Sequence, residues 1–329
     1  MAPGIENTAL IAAYAICFAV SFASALLILP RMIASFSRLG MVGKDQNKFN
    51  KPSVAEMGGV AVVIGLFIGV VFLMAVDSIV VANLIQNRTL FVAALIAALG
   101  CAFVGAIDDL FDLRQRIKAA LPVVFGIPLG LYYTDTAIHL PRGVSLELGL
   151  LMVPLIAFMV SAGANSTNML EGFNGLGAGL GLIMASAIAM LALYAGRLDA
   201  LLLLVPFIGA AAGLLVYNRF PARIFPGDTF TLFMGATLVS SLVMIDLKEV
   251  GALLFVPMIA EFILKAASGF SAECYGVPRA DGTLERPSRI ASLTHVAMRA
   301  GARTERGVVR FIWALEIVVA VLVVGLIVF

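Results

Sequence analysis

Residues 88–112 read Arg-Thr-Leu-Phe-Val-Ala-Ala-Leu-Ile-Ala-Ala-Leu-Gly-Cys-Ala-Phe-Val-Gly-Ala-Ile-Asp-Asp-Leu-Phe-Asp, an apolar run of membrane-spanning length that ends in three carboxylates. One carboxylate at the centre of a bilayer costs about 2.5–3.5 kcal/mol on insertion scales. The cost falls at the interface, so Asp108, Asp109 and Asp112 mark the end of the span. Acids this close repel one another and require a cation. Arg114, Arg116 and Lys118 follow within the next turns and offer one answer. A divalent metal with the phosphates it carries offers another, since Mg²⁺ is held by one or two carboxylates plus substrate phosphates. On a helix Asp108 and Asp112 share a face and Asp109 lies about 100° round.

The rest of the chain repeats this pattern. It is 61% hydrophobic and 13% charged, against about 25% charged in soluble domains. Ten apolar spans are expected, near 7–29, 58–76, 90–107, 119–133, 149–164, 178–195, 200–217, 230–245, 250–268 and 308–329. The fold class is therefore an all-α integral membrane protein, one polytopic domain over 1–329. The opening run is longer than a signal-peptide core and has no basic flank before it, so it reads as the first helix. Of 22 Lys and Arg, 18 fall in the loops near 30–57, 107–118, 165–177, 217–229 and 265–310. Only Arg88, Arg142, Arg197 and Lys248 lie on the other side. The positive-inside rule then puts the five richer loops in the cytoplasm and both termini outside; the short loops and compact length favour a prokaryote-like plasma membrane.

Polar chemistry concentrates on that same face. The longest outer loop, around 134–148, holds Asp135, His139, Arg142 and Glu147. A transporter would instead place polar groups at mid-bilayer, often on interrupted helices. Glu261 and Lys265 are the main candidates for that role, and they stand one helical turn apart, where they can pair. Cys17, Cys101 and Cys274 are scattered and form no metal or disulfide pattern, and the two histidines fall on opposite sides. No Walker motif is present. Gly177, Gly179 and Gly181 read as close helix packing.

Four further inner clusters join the acidic one. Asn165, Asn168 and Glu171 recur at i, i+3 and i+6, near one helix face, and Asn174 follows. Asparagine carbonyls are hard oxygen ligands, and the amide donors can hold phosphate or sugar oxygens. In Phe225-Pro-Gly-Asp228 the Pro-Gly makes a turn and Asp228 stands where a helix N-cap would. Phe225 packs or stacks on a base. Lys44, Lys48 and Lys51 precede Glu56 and a Gly-Gly at a span entrance, either answering anionic lipid or meeting phosphate. The last inner loop holds Arg279, Arg286, Arg289, Arg299, Arg303 and Arg306, which serve as positive-inside charge or as phosphate forks. His295 in that loop has no partner in the sequence.

Taken in order, Gly43-Lys-Asp-Gln-Asn-Lys48, Glu56, Asp108-Asp109-x-x-Asp112, Lys118, Asn165-x-x-Asn168-x-x-Glu171-Gly-x-Asn174-Gly-Leu and Phe225-Pro-Gly-Asp228 resemble the polyprenyl-phosphate N-acetylhexosamine-1-phosphate transferase family. The likeness spans most of the chain and is greatest to the eukaryotic and archaeal dolichyl-phosphate type. It implies transfer of a sugar-1-phosphate from a UDP-sugar donor, UDP-N-acetylglucosamine by this likeness, to a polyprenyl phosphate acceptor, releasing UMP. It implies Mg²⁺, with Mn²⁺ as alternative, contacted by Asp228 and Asn168, and Asp108 and Asp109 beside the reacting phosphates. Lys118 and Asn174 would hold phosphate or nucleotide groups and Glu56 the active-site loop. Lys48, Asp112, Asn165, Glu171 and Phe225 complete the substrate set. Arg286 and Arg289 stand where relatives bind the sugar, yet the histidine of that region is absent in Glu285-Arg-Pro-Ser-Arg289-Ile. The histidine-rich motif of the bacterial cell-wall members is missing too. Asp112 stands where some relatives have asparagine.

The residue types suit the reaction. Two anionic phosphates must approach, so catalysis is mostly positioning and charge stabilisation. Direct attack by the lipid phosphate is expected, with Asp108 available to take a remaining proton. The bilayer is a partner and a homodimer is compatible with the sequence; nucleic acid is not an expected partner. The alternatives are the same chemistry with another UDP-sugar or undecaprenyl phosphate for a surface polymer, and a multi-span transporter of a phosphorylated lipid.

Overall fold

A computed structural model describes residues 3–79, 85–140 and 143–329, and the side chains of all of these except 3–7 and 140. Arg142 lies outside the described residues. The expected spans become α1 (Pro3–Leu39), α2 (Gly59–Ile79), α3 (Arg88–Phe111), α4 (Gln115–Tyr132), α5 (Met152–Leu170), α6 (Leu176–Tyr194), α7 (Leu201–Asn218) and α8 (Gly227–Met244). The ninth is broken. It begins as one turn, α9 (Lys248–Gly251), passes through a 3-10 segment at Ala252–Phe255 and continues as α10 (Val256–Ala267). A short α11 (Leu293–Arg299) then precedes α12 (Glu305–Val328). Among the described residues nine helical stretches are long and apolar enough to cross a membrane. The fourth expected span, α4, is helical but falls outside that set; Arg116 and Lys118 lie in its first turn and Pro122 and Pro128 in its body.

The first helix runs ten residues beyond its expected end. Residues 30–39 carry Met32, Ile33 and Phe36, which pack against the core, so the helix continues through Pro30 until Gly40. Gly40 adopts φ +76°, and Met41 N–H returns to the Phe36 carbonyl at 2.9 Å, closing a left-handed C-cap.

Of these nine stretches the least apolar is the most enclosed. In α8, 89% of the span is buried, against 22% for α12. Thr229, Thr231, Thr237, Ser240 and Ser241 are all buried on α8. Its neighbours α2, α3, α5, α6 and α7 surround it, and glycines set the spacing. A side chain on Gly105 of α3 would run into the Asp228 carbonyl, and one on Gly235 of α8 would run into the Gly163 backbone of α5. In lipid, such small-residue contacts replace the hydrophobic drive that packs helices in water. Gly179 abuts Trp313 and Gly181 abuts Met234, as packing glycines should. Gly177 instead abuts the Glu171 carboxylate.

Among the described residues three two-stranded antiparallel sheets decorate the bundle: β1 (Val42–Lys44) with β2 (Ser53–Ala55), β3 (Ala137–Leu140) with β4 (Val144–Glu147), and β5 (Val277–Pro278) with β6 (Leu284–Glu285). The first hairpin binds the loop before α8, with Phe225 N–H donating to the Ala55 carbonyl at 2.7 Å. Asn47 donates to the Gly172 carbonyl at 2.7 Å, and Lys48 pairs with Glu305. These contacts gather the basic loops at one end of the bundle.

Glu261 and Lys265 pair at 3.6 Å. Glu261 also accepts from Ser292 Oγ at 2.9 Å and Leu293 N at 2.7 Å, at the start of α11. Lys265 donates to the Met169 carbonyl at 2.6 Å, at the end of α5. Both residues are thus structural braces.

Candidate active site

At the loop-rich end α3, α4, α5 and α8 bring four side chains together. Lys118 Nζ lies 2.7 Å from Asp108 Oδ2 and also pairs with Asp228 Oδ2. Asn168 Nδ2 faces Asp228 Oδ1 and donates to Thr231 Oγ1 at 2.8 Å. With a cation between the two side chains, the Asn168 amide would turn its oxygen to the same point. Lys118 and Asp108 are buried, and Asp108 Oδ1 also accepts from Leu113 N at 2.9 Å.

Asp109 acts elsewhere. Its carboxylate accepts from Asp228 N at 2.6 Å, Thr229 N at 2.9 Å and Thr229 Oγ1 at 2.6 Å. The N-cap position of α8 is Pro226, which offers no side-chain acceptor, and Asp228 lies inside the first turn. Asp228 is therefore not the N-cap; Asp109 does that work from another helix. Asp112 leaves the cluster altogether. It ends α3 as a left-handed cap at φ 49°, its N–H returning to the Asp108 carbonyl, and it is exposed. The shared face expected for Asp108 and Asp112 fails because the helix stops at Phe111.

A polar cavity of about 240 Å³ opens beside Asp228 and Asn168, walled also by Lys44, Asp45, Glu56, Glu171, Asn174, Phe225 and Tyr275. Burial, with Asp109 nearby, raises the Glu56 carboxyl above the usual range. Glu171 follows the last residue of α5, in extended conformation, so it is off the helix that carries Asn168. Its carboxylate is buried against the backbone of Gly172 and Gly177. Burial pushes its carboxyl up to about 8.

Lys48 and Asn174 form a second network at the edge of this cavity. Lys48 pairs with Asp45 at 3.0 Å and with Glu305, and stands 4.2 Å over the Phe220 ring. Asn174 Nδ2 donates to Asp45 Oδ2 at 3.0 Å, and its N–H donates to Glu305 Oε1 at 2.9 Å. Asp45 and Glu305, both buried, were not singled out from the sequence; an acid midway between lysines in Lys-Asp-Gln-Asn-Lys gave only a weak signal. Arg286 and Arg289 are exposed and outside the cavity wall, and Arg289 donates to the Ala267 carbonyl at 2.6 Å. His295 is buried, accepts from Ala291 N at 3.2 Å and meets the Tyr275 carbonyl at 3.1 Å. Burial lowers its pKa.

Across the last turns of α5 lies a second space of about 490 Å³. Phe158, Met159, Val239, Leu242, Phe255, Met258, Ile259 and Phe262 line it, with Ser161, Asn165 and Ser166 along α5 and Lys248 on α9. Asn165 thus parts from Asn168 and donates to the Ser161 carbonyl at 2.8 Å. The broken ninth span makes one wall of this groove.

The oxygen-bearing side chains on the wall of the polar cavity, Asp228, Asn168, Glu171 and Glu56, suit a hard divalent cation. Among the described residues no group of three or more His, Cys, Asp or Glu is arranged as a self-sufficient metal cage.

Residues 91–246 match the model of glycosyl transferase family 4. A protein of Sulfolobus acidocaldarius is 35% identical over 314 residues, 93% of each chain. One of Saccharolobus solfataricus is 33% identical over 287 residues, 86% of this chain and 87% of its own. Both carry the provisional name UDP-N-acetylglucosamine–dolichyl-phosphate N-acetylglucosaminephosphotransferase. A Schizosaccharomyces pombe protein with that name unqualified is 30% identical over 299 residues, 78% of this chain and 67% of its own.

Proposed function

We propose, because this chain belongs to glycosyl transferase family 4, that it moves N-acetylglucosamine-1-phosphate from UDP-N-acetylglucosamine to a polyprenyl phosphate of the dolichyl type and releases UMP. The observation that carries this reading is the pair of spaces lined by the end of α5. One is polar and faces Asp228; the other is apolar and flanked by α8 and α10. A charged, soluble donor and a lipid-bound acceptor need such unlike compartments side by side.

In this reading the diphosphate of the donor sits in the polar cavity against Asp228 and Asn168, and the isoprenoid tail lies in the groove. Mg²⁺, or Mn²⁺, would supply neutralisation of the charge that gathers on departing UMP. Lys118, buried between Asp108 and Asp228, is off the cavity wall as Asp108 is, and in this reading it steadies the Asp228 carboxylate. An oxygen of the acceptor phosphate bonds to the donor's β-phosphorus as the bond from that phosphorus to the UMP oxygen breaks. Asp108 holds Lys118 and is not on the cavity wall. No protein base is required, because a phosphate monoester with a second pKa near 6 is largely dianionic at pH 7. Phe225 flanks the cavity where a uracil ring would stack.

The bias of 18 in 22 basic residues toward the loops at this end favours a cytoplasmic site and termini outside. The test is an assay of purified protein with Mg²⁺, labelled UDP-N-acetylglucosamine and a polyprenyl phosphate. UMP and a lipid-linked sugar phosphate are expected in equal amounts. Absence of both across several UDP-sugars would remove the enzyme reading, and turnover confined to another UDP-sugar would redirect it.

A further inference from the structure

Adjacent carboxylates at the end of α3 invite one role for both, but their surroundings differ. Asp109 fills three of the about four acceptor positions of a carboxylate with Asp228 N, Thr229 N and Thr229 Oγ1. It does not line the polar cavity, whereas Asp228 does. The first N–H groups of a helix have no partners within it, and Pro226 cannot cap α8. A side chain on Gly227 would meet the Asp109 carboxylate at 2.7 Å, so the missing Cβ is what lets Asp109 reach the turn. Gly105, one turn back on α3, likewise lies against the Asp228 carbonyl.

The geometry points to Asp109 as a positioning residue, which locks the first turn of α8 so that the Asp228 carboxylate is aimed into the cavity. Asp108 acts on the same target from the other side, through Lys118. The two neighbours of α3 thus grip Asp228 by its backbone and by its side chain. Asp109 itself touches neither metal, phosphate nor proton in transit. This inference rests on the role proposed above for Asp228.

Thr229 separates the positioning role from a direct one, because its hydroxyl binds Asp109 while the residue lies off the cavity wall. Removing a group that orients a ligand commonly costs 10–100-fold in metal affinity or activity. Thr229→Val should therefore lower kcat about tenfold with KM for UDP-N-acetylglucosamine unchanged, and weaken Mn²⁺ binding, read by electron paramagnetic resonance, by about the same factor. Thr229→Ser, which keeps the hydroxyl, should restore both to within about twofold of the parent. Asp109→Asn should lose more, keep the shape of the parent's pH–rate profile, and gain no further loss when combined with Thr229→Val. Parent-like kcat and Mn²⁺ affinity in Thr229→Val would overturn the inference. So would multiplicative losses in the double variant, or a titration limb that vanishes with Asp109. A parent enzyme that makes no UMP defeats the proposed reaction instead, and the Mn²⁺ measurement still reads the aim of Asp228 without turnover.

Discussion

The two spaces beside the end of α5 differ in almost every physical respect. The polar cavity is about half the volume of the groove, 240 against 490 Å³, yet holds Asp45, Glu56, Glu171 and Asp228. The groove has one charged side chain, Lys248, at its far end, where it donates to Tyr133 Oη at 2.7 Å and pairs with Glu249 at 2.9 Å. Only a helix end stands between them. Charges interact strongly where water is excluded and weakly where it is not, so a reaction between anions benefits from a site whose polarity is fixed beforehand. A tail that is insoluble in water needs the opposite lining. On the proposed reaction, the protein meets a solubility problem as much as a chemical one.

The largest break in this contrast is Asp228→Ala. Removal of the carboxylate that faces the cavity should reduce UMP release by at least about 10³-fold, the scale of losing about 4 kcal/mol of charge stabilisation. The variant should still elute as a folded protein in detergent; substantial retained turnover would contradict its role. Lys118→Ala comes next. It leaves Asp108 and Asp228 without their shared cation, and breaking a buried pair in this way costs about 3–5 kcal/mol. Both a lowered thermal midpoint and a fall in kcat of about 10²-fold are expected, with partial recovery in Lys118→Ala/Asp108→Asn.

A smaller effect sharpens the other compartment. Ala162 is exposed on the groove wall, and Ala162→Trp should raise KM for a long polyprenyl phosphate about tenfold, about 1.4 kcal/mol. KM for UDP-N-acetylglucosamine should stay the same, and a short soluble acceptor should not notice the change. Equal effects on both substrates would argue that the groove is not the lipid path. The smallest effect concerns pH. Glu171 has an ordinary carboxyl value of 4.5 and one of about 8 in the fold. Between those values the folded chain holds a proton that the unfolded chain has released, so stability falls as pH rises through this window and levels above about 8. Thermal midpoints in detergent from pH 5 to 9 should show this decline, and Glu171→Gln should flatten it by a few degrees, on the order of the shift that about 1 kcal/mol produces.

Much of this was legible in the residues. Asp108, Lys118, Asn168 and Asp228 were each marked by polar chemistry at the edge of an apolar span, and the structure brings these four together. The buried counter-charges Asp45 and Glu305 were hidden, because an acid in a basic loop and an acid at a helix start look like ordinary surface charge. Asp112 leaves the expected cluster because a left-handed cap at φ 49° ends the helix, which residue type alone does not announce.

Order along the chain, apolar run length and the placement of charge determined the membrane class, the spans and the face on which chemistry gathers. These follow from the cost of taking charge and bare backbone into lipid, which acts on each segment separately. Which carboxylate aims at a guest and which caps a helix was decided only in the assembled bundle. There Gly105 and Gly227 let the end of α3 close upon the start of α8. Two aspartates with the same intrinsic chemistry then acquire different work, because one meets two backbone amides and the other a lysine.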